Sequence, residues 1–359
     1  MRIVFAGGGT LGSVTPLLAV AGEIRRRCPG AEMLWVGTVG GPESDPVRRA
    51  GLSFTAIRSG KLRRYPSIDN FFDVFRIIGG FFQSLRILWG KRPEAVVSAG
   101  GFVAVPVVWA AALLRIPVHV HQMDIRPGLA NRLSAPFTRS FSVAYRESVR
   151  DFSGFRPVWT GNPVRSELFG RTRVQALDFF RLDGSLPTVL VLGGGTGAMT
   201  LNRLAIRAAV MSDGRINLVH VTGMGKGLPV PEGSDAYRQY PSLDVDRMAL
   251  AYAVSDLVVT RAGMGTLTEL AALGKPTVII PMPHSHQEDN AELFRKSGAA
   301  EVWPEESVDP DGFADRLLTV LADPVRLAGL GEGMKRMNRN DAAQRLAEII
   351  LKSAGLHPV

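Results

Sequence analysis

Apolar residues in this chain cluster in short runs, each closed by glycine or polar residues and most followed by a stretch with helical spacing. RIVFAG, EMLWVGT, AVVSAG, PVHVHQ and SFSVAY mark the chain up to Tyr145, with a helical pattern from Pro16 to Arg27 after the first of them. Runs that are apolar throughout belong to strands buried on both faces, and strands alternating with helices build βαβ units. The pattern predicts a parallel sheet covered by helices on both sides. A break follows between Trp159 and Pro187, where TGNPVRSELF leads into a charged stretch and then DGSLP. The same grammar restarts with TVLVLGGGTGA, INLVHVTG, DLVVTRAGMG and PTVIIPMP. Two doubly wound, Rossmann-like α/β domains are predicted, residues 1–163 and 164–340. A linker is expected near 160–187, and a C-terminal helix at about 341–359 could return to the first domain.

An internal echo supports two similar halves: IVFAGGGTLGS at 3–13 and VLVLGGGTGAM at 189–199 both run from an apolar strand into Gly-Gly-Gly-Thr. A strand, a glycine turn and a helix aim backbone N–H groups and the helix dipole at one point, where an anion can sit. Such a turn also serves simply to pack a helix close to its strand, and the turn alone does not choose. The letters GGGTLG at 7–12 fit the dinucleotide pattern, but the second strand, EMLWVGT, ends without the acidic residue that would hold a ribose. A nicotinamide enzyme is disfavoured.

The most informative segment is VVTRAGMGTLTELAALGKPTVIIPMPHSHQEDN, residues 258–290. A strand ends at Arg261, a glycine turn opens a helix, and Glu269 lies about one turn in, on the side of Gly265 and Thr266. A carboxylate there can accept from the vicinal hydroxyls of a ribose while Thr266 and the turn amides face phosphate; it could equally only cap its helix. The next strand delivers His284, His286, Gln287 and Asn290 to the carboxyl end of the sheet, where open α/β sheets bind ligands.

Composition narrows the class. The chain has 359 residues, 46% of them hydrophobic, and a net charge of +9. That suffices for two real cores and excludes disorder or a disulfide-stapled scaffold. The single cysteine, Cys28, can form no internal bridge and fits a reducing compartment. MRIVFAGGGT has one basic residue and an apolar run broken early by glycines, so no secretory signal is expected there. Ala95 to Leu114 is uncharged over the length of a spanning helix, but Ser98, Gly100-Gly101 and Pro106 make it read as a strand, a glycine turn and a buried helix. The basic residues are spread out and match no nucleic-acid motif, so nucleic acid is not an expected partner.

Taken in order, GGGTLGSVTPLLAVA, SAGGFVAVP, HQMDIRPGLAN, TGNPVR, GGGTGAMTLN, TRAGMGTLTELAALGKP and HQEDNA resemble the MurG family nearly end to end. The resemblance implies the two-domain GT-B fold, with a cleft between the halves. It also implies an inverting, peripheral glycosyltransferase of the cytoplasmic membrane face, active in peptidoglycan synthesis. Such an enzyme moves GlcNAc from UDP-GlcNAc to a polyprenyl-linked muramyl-pentapeptide. By the same resemblance Arg165 approaches the donor diphosphate, and Gly195 or Thr196 takes the phosphate-loop position where the family has serine. Val245 touches the uracil. Met264, Gly265, Thr266, Leu267, Thr268 and Glu269 hold phosphate and ribose, and Gln287 reads the sugar hydroxyls. From the first half Thr10, Leu11, Gly12 and Asp124 face the sugar, with His121 and Asn131 completing that wall.

The departures matter as much. Ser13 stands where the family has histidine in its first glycine turn, Gln122 and Asp124 replace glutamate and asparagine, and Phe102 replaces tyrosine. A serine hydroxyl takes no proton near pH 7 without help. The expected base is therefore Asp124, then His121, with Ser13 the weakest of the three. Asp244-Val245-Asp246 spells a D-x-D that elsewhere chelates Mg²⁺ or Mn²⁺, but here it precedes the helix RMALAYAV and reads better as a helix cap. No resident metal is expected, although either ion could stimulate the reaction. His119 with His121, and His284 with His286, lack a third ligand nearby in sequence, so zinc is not expected.

Gly60 to Arg92 mixes Lys61, Arg63, Arg64, Arg76, Arg86, Lys91 and Arg92 with Phe71, Phe72, Phe75, Phe81, Phe82 and Trp89. Rings at the acyl boundary and cations on anionic headgroups suit a membrane surface, while a core helix with snorkelling arginines would explain about half of these residues. Other readings stay open at this point: a GT-B enzyme with another lipid acceptor such as diacylglycerol, a UDP-GlcNAc epimerase, or a UDP-sugar-binding protein without turnover.

Overall fold

The computed structural model describes residues 1–60, 68–195, 197–230 and 235–355, apart from the side chains of 68–72. The chain forms two compact units, Met1–Val164 with Arg339–Val359, and Arg165–Asn338.

The first unit runs β1 (Arg2–Ala6), α1 (Thr15–Arg27), β2 (Glu32–Thr38), α2 (Ser44–Arg49), β3 (Ser53–Ile57), α3 (Ile68–Lys91), β4 (Ala95–Ser98), α4 (Ala104–Leu113), β5 (Val118–Gln122), α5 (Leu129–Ser134), β6 (Ser140–Val143) and β7 (Val158–Trp159). Its seven strands are all parallel, in the order β3-β2-β1-β4-β5-β6-β7. Alternation along β1 builds two layers. Ile3 and Phe5 pack with Leu17, Val20 and Ile24 of α1 on one face; Val4 and Ala6 pack with Val107 and Val108 of α4 on the other. The uncharged stretch after Glu94 is β4, a turn with Gly100 at φ +95° and Gly101 at φ +85°, and the buried α4. Among the described residues no helix is long and apolar enough to cross a membrane.

The second unit runs α6 (Arg173–Phe180), β8 (Thr188–Leu192), α7 (Met199–Met211), β9 (Asn217–Val221), β10 (Tyr237–Tyr240), α8 (Val245–Val254), β11 (Leu257–Thr260), α9 (Met264–Leu273), β12 (Thr277–Ile279), α10 (His286–Lys296), β13 (Glu301–Val302), α11 (Phe313–Leu321) and α12 (Pro324–Met337). Its six parallel strands lie in the order β10-β9-β8-β11-β12-β13. Val189, Val191, Leu257 and Val259 face α7 and α11, with Trp303 and Phe313 edge to face in the same layer. From Arg165 onward the stretch expected to be a linker is built into this unit. Thr172 and Gln175 form a capping box for α6, and Ala176 and Phe180 are buried, with Phe180 edge-on to Tyr240 of β10. Local composition could not show that Phe180 has an aromatic partner far along the chain.

A last helix, α13 (Ala342–Ser353), belongs to the first unit: Leu346, Ala347, Ile350 and Leu351 pack with Leu17, Val20 and Ile24 of α1.

Candidate functional site

Each sheet reverses its winding where its first strand lies beside its fourth, β1 beside β4 and β8 beside β11. Loops leave such a switch point in opposite directions and open a crevice at the strand ends. Both glycine turns of the internal echo lie there.

In the first unit the turn after β1 is held by a residue absent from the sequence reading. Glu43, at the start of α2, is fully buried. Its Oε1 accepts from Thr38 N at 2.6 Å and Thr38 Oγ1 at 2.5 Å, and its Oε2 accepts from Gly9 N at 3.2 Å. A Cβ on Gly8 would lie 2.2 Å from that carboxylate, and one on Gly9, at φ +82°, would lie 2.3 Å from the Phe102 ring. Gly8 and Gly9 are therefore demanded by close approach, and Phe102 packs on the turn. The only signal for Glu43 is an acid five residues beyond the second strand, past the place where a ribose-binding acid would sit and with Asp45 close behind it.

Thr10 is exposed; Leu11, Gly12 and Ser13 are half-buried and lead into α1. Ser13 Oγ itself is buried with no hydrogen-bond partner among the described residues, and so is Asn131 Oδ1. Asn131 Nδ2 donates to Gln122 Oε1 at 2.7 Å, and Gln122 Nε2 donates to the carbonyls of Asp124 and Arg126 at 2.7 and 3.0 Å. Gln122 thus shapes the loop that presents the half-buried Asp124.

His121 does not join that wall. Its ring is fully buried, 2.8 Å from Ser142 Oγ and 3.2 Å from Asn162 Oδ1, and burial lowers its pKa to about 4. Side chains at alternate strand positions share a face, so His119 is buried beside it against Ser140 and Ser142, with its pKa lowered to about 3. A neutral imidazole between two fixed partners has no open edge for a substrate, which removes His121 as a base.

In the second unit the turn after β8 runs from Gly193 through the exposed Gly195 to Gly197; Thr196 lies outside the described residues. A Cβ on Gly197, at φ +69°, would come 2.0 Å from Thr222 O. The first turn of α7 that follows has no side-chain cap. α9 likewise starts uncapped at Met264, with Gly265 and Thr266 half-buried beside it. The amides of both first turns therefore remain available to an anion. Leu267 differs: its side chain is fully buried and its amide donates to Gly263 O, so it packs the helix. Met264 and Thr268 are buried as well.

Arg165 and Glu269 meet as an ion pair, Nη2 to Oε1 at 2.8 Å, with side chains only 18% and 11% exposed. Tyr252 Oη donates to the other carboxylate oxygen, Oε2, at 2.9 Å. Glu269 is therefore anchored by long-range partners and is no helix cap. Arg165 Nε is buried without a partner among the described residues, leaving a guanidinium donor unused next to its pair with Glu269. Gln287 Oε1 accepts from Ala262 N at 3.2 Å and Met282 N at 3.1 Å, bracing the loops after β11 and β12 and leaving its NH₂ to offer. In the same loop His284 sits at φ +54°, a strained conformation of a kind that gathers at functional sites. Arg261, the cation at the end of β11, is committed to its own unit: it donates to the carbonyls of Ile280 and Pro281 at 3.0 Å and pairs with Glu305. Val245 is half-buried at the start of α8. Of the D-x-D acids flanking it, Asp244 caps that helix through Arg247 N at 2.9 Å and Asp246 pairs with Arg171 at 2.6 Å. Among the described residues no three His, Cys, Asp or Glu side chains gather into a metal cluster.

The glycosyltransferase family 28 N-terminal domain is matched by residues 3–142, and the glycosyltransferase family 28 C-terminal domain by residues 188–346. A relative from Lachnoclostridium phytofermentans, named UDP-N-acetylglucosamine–N-acetylmuramyl-(pentapeptide) pyrophosphoryl-undecaprenol N-acetylglucosamine transferase, is 34% identical over 353 residues, 97% of this chain and 98% of its own. One of the same name from Shouchella clausii is 37% identical over 311 residues, 86% of this chain and 87% of its own. Among solved structures, MurG of Acinetobacter baumannii superposes with a TM-score of 0.71 at 24% identity, covering 98% of this chain and 99% of that one. A UDP-GlcNAc 2-epimerase from Neisseria meningitidis reaches the same TM-score of 0.71 at 10% identity, covering 98% and 100%, so the shared fold does not separate transferase from epimerase. The two family 28 domains and the sequence relatives do separate them, and this chain belongs to glycosyltransferase family 28, within its MurG family.

Proposed function

We propose that this protein moves GlcNAc from UDP-GlcNAc to a polyprenyl-diphosphate-linked muramyl-pentapeptide, the step that completes the lipid-linked disaccharide of peptidoglycan. The observation that carries this reading is the identity of 34 to 37% with transferases bearing that name, over 86 to 97% of this chain. The second unit would take the donor and the first the acceptor. An acceptor hydroxyl attacks the anomeric carbon from the face opposite UDP, its bond to carbon forms as the bond to the diphosphate oxygen breaks, and the configuration inverts. Negative charge then grows on the leaving diphosphate. Arg165 and the uncapped amides of α7 and α9 are suited to stabilise it, because fixed donors in a partly buried site need little reorganisation. Glu269 accepts from the ribose hydroxyls, Val245 lies against the base, and the Gln287 NH₂ donates to the sugar.

Asp124 takes the proton of the attacking hydroxyl. It is the carboxylate of the first unit's ligand-facing loop, whereas Ser13 offers only a hydroxyl and His121 is sealed in the sheet. Mg²⁺ or Mn²⁺, where either stimulates, would act on the donor diphosphate, since Asp244 and Asp246 are already engaged.

Attachment to an anionic cytoplasmic membrane face is part of this proposal. Phe75, Ile78, Phe82 and Trp89 are 59, 48, 63 and 67% exposed, and with the exposed Arg86 their spacing puts them on one stripe of α3. The opposite side of the helix, with Ser84 and Leu88 buried, packs on α4, and the exposed Lys91 and Arg92 close the C-terminal end. Lys61, Arg63 and Arg64, and the side chains of Phe71 and Phe72, lie outside the described residues.

Incubation with radiolabelled UDP-GlcNAc and the lipid-linked muramyl-pentapeptide is expected to give labelled lipid-linked disaccharide and UDP. UDP release with free GlcNAc and no disaccharide would refute this acceptor; no turnover would refute the transferase reading.

A further inference from the structure

The donor unit contains a buried phenol that the proposed reaction does not use. Tyr252 is 1% exposed near the end of α8, and its hydroxyl donates to Glu269 Oε2 while Arg165 holds Glu269 Oε1. β11 joins α8 to α9, so the phenol and the carboxylate come from helices consecutive in the chain. Each oxygen is thus engaged by a different residue. A carboxylate offers about four lone-pair sites, so acceptor capacity remains for a vicinal diol after these two donors. Burial and the Glu269 charge push the phenol pKa well up, so it stays a donor throughout the working pH range.

We infer that Tyr252 is a positioning residue that makes the nucleotide site selective for ribose over 2′-deoxyribose, by locking Glu269 in the orientation that meets the ribose hydroxyls. The inference rests on the reading of Glu269 as the ribose acceptor. Without the phenol, Glu269 has one remaining strong partner, the planar fork of Arg165, and such a fork draws both oxygens of a carboxylate into a bidentate pair. The carboxylate then turns towards arginine and away from the sugar. This loss is specific to hydroxyl contacts, whereas a tyrosine that merely packs the helix would weaken ribo- and deoxyribonucleotides alike.

The test is calorimetric titration of the full chain with UDP and with 2′-deoxy-UDP, for the unsubstituted protein, Tyr252→Phe and Glu269→Gln. The unsubstituted protein is expected to prefer UDP by roughly tenfold, as befits a hydrogen bond to a charged group. Tyr252→Phe should shrink that preference to within about threefold, close to Glu269→Gln, through weaker UDP binding and nearly unchanged 2′-deoxy-UDP binding. A preference preserved in Tyr252→Phe, or equal losses for both nucleotides, overturns the role of Tyr252 alone. UDP binding without preference in the unsubstituted protein overturns the ribose assignment of Glu269 and this inference with it, and absence of UDP binding overturns the donor reading itself. Should Tyr252→Phe not fold, ¹³C-tyrosine NMR of the unsubstituted protein decides: the Tyr252 Cζ resonance should respond to UDP more than to 2′-deoxy-UDP, and an identical response overturns the inference.

Discussion

Glu43 and Asp124 show how differently two carboxylates of one unit are employed. Glu43 is fully buried and accepts from Thr38 and Gly9, so it acts as a strut under the first glycine turn. In Glu43→Gln a side-chain NH₂ would face backbone donors, which costs about 2 kcal/mol for the unsatisfied pair. Scanning calorimetry should record a drop of roughly 4 to 8 °C in the melting temperature of this unit; an unchanged transition would refute the strut. Asp124 lies half-buried on a loop that Gln122 organises. As the proposed base, its loss in Asp124→Asn should lower kcat about 100-fold or more, against less than about threefold for Ser13→Ala, because general bases contribute on that scale. Steady-state rates with saturating donor check this, and comparably small losses in both variants would refute the assignment. Asp124 was legible in the sequence because a carboxylate replaces the amide of a known pattern. Glu43 was not, because its partners are Thr38 at the end of β2 and the Gly9 amide in the turn after β1, and only folding brings that turn to it.

Among the elements, the second glycine turn and the last helix carry the most specific consequences. Gly197 combines a left-handed backbone with a close approach to Thr222 O. Gly197→Ala must move the turn, at a cost of about 1 to 3 kcal/mol. UDP affinity should fall by roughly tenfold while uridine, which lacks the phosphates, binds nearly as before. Equal losses for UDP and uridine in parallel titrations would place the turn away from the phosphates. α13 completes a layer of the first unit although it follows the whole of the second in sequence. Leu346 is fully buried against α1, so Leu346→Ala should cost about 2 to 5 kcal/mol, read as an earlier first transition in thermal or urea unfolding. The elements themselves were legible from hydrophobic runs and glycine turns, because strand burial and helix periodicity leave local marks. The α6 region looks like a linker locally because the aromatic contact that recruits it to the second unit is not local.

For the molecule as a whole, charge and buried histidines set the response to solution conditions. His119, His121 and His220 are buried and neutral, with pKa values lowered by burial to about 3, 4 and 4 from an ordinary 6.5. The unfolded chain therefore takes up protons first on acidification. Their stabilisation is complete above about pH 6.5 and drains as the pH falls towards 4, by roughly 2 to 3 kcal/mol per ring at pH 4.5. Melting temperatures should fall steadily between pH 7 and 4.5; a flat profile would contradict the burial of these rings. The net charge of +9 and the exposed stripe of α3 lead to a separate expectation. Sedimentation with vesicles should show more binding to anionic than to zwitterionic lipid, reversed by salt and weakened by Phe82→Ser with Trp89→Ser. Equal binding to both lipids would refute it.

The two parallel-sheet halves, the glycine turns at their strand ends and the family can all be read along the chain, because periodicity, turn chemistry and ordered motifs are written in neighbouring residues. Which polar residues remain available and which are consumed emerges only from packing in three dimensions. That packing seals His121 into the sheet, commits Arg261 to carbonyls and Glu305, and joins Arg165, Tyr252 and Glu269 into one cluster. Burial and pairing depend on partners tens of residues away, and no local spacing records them.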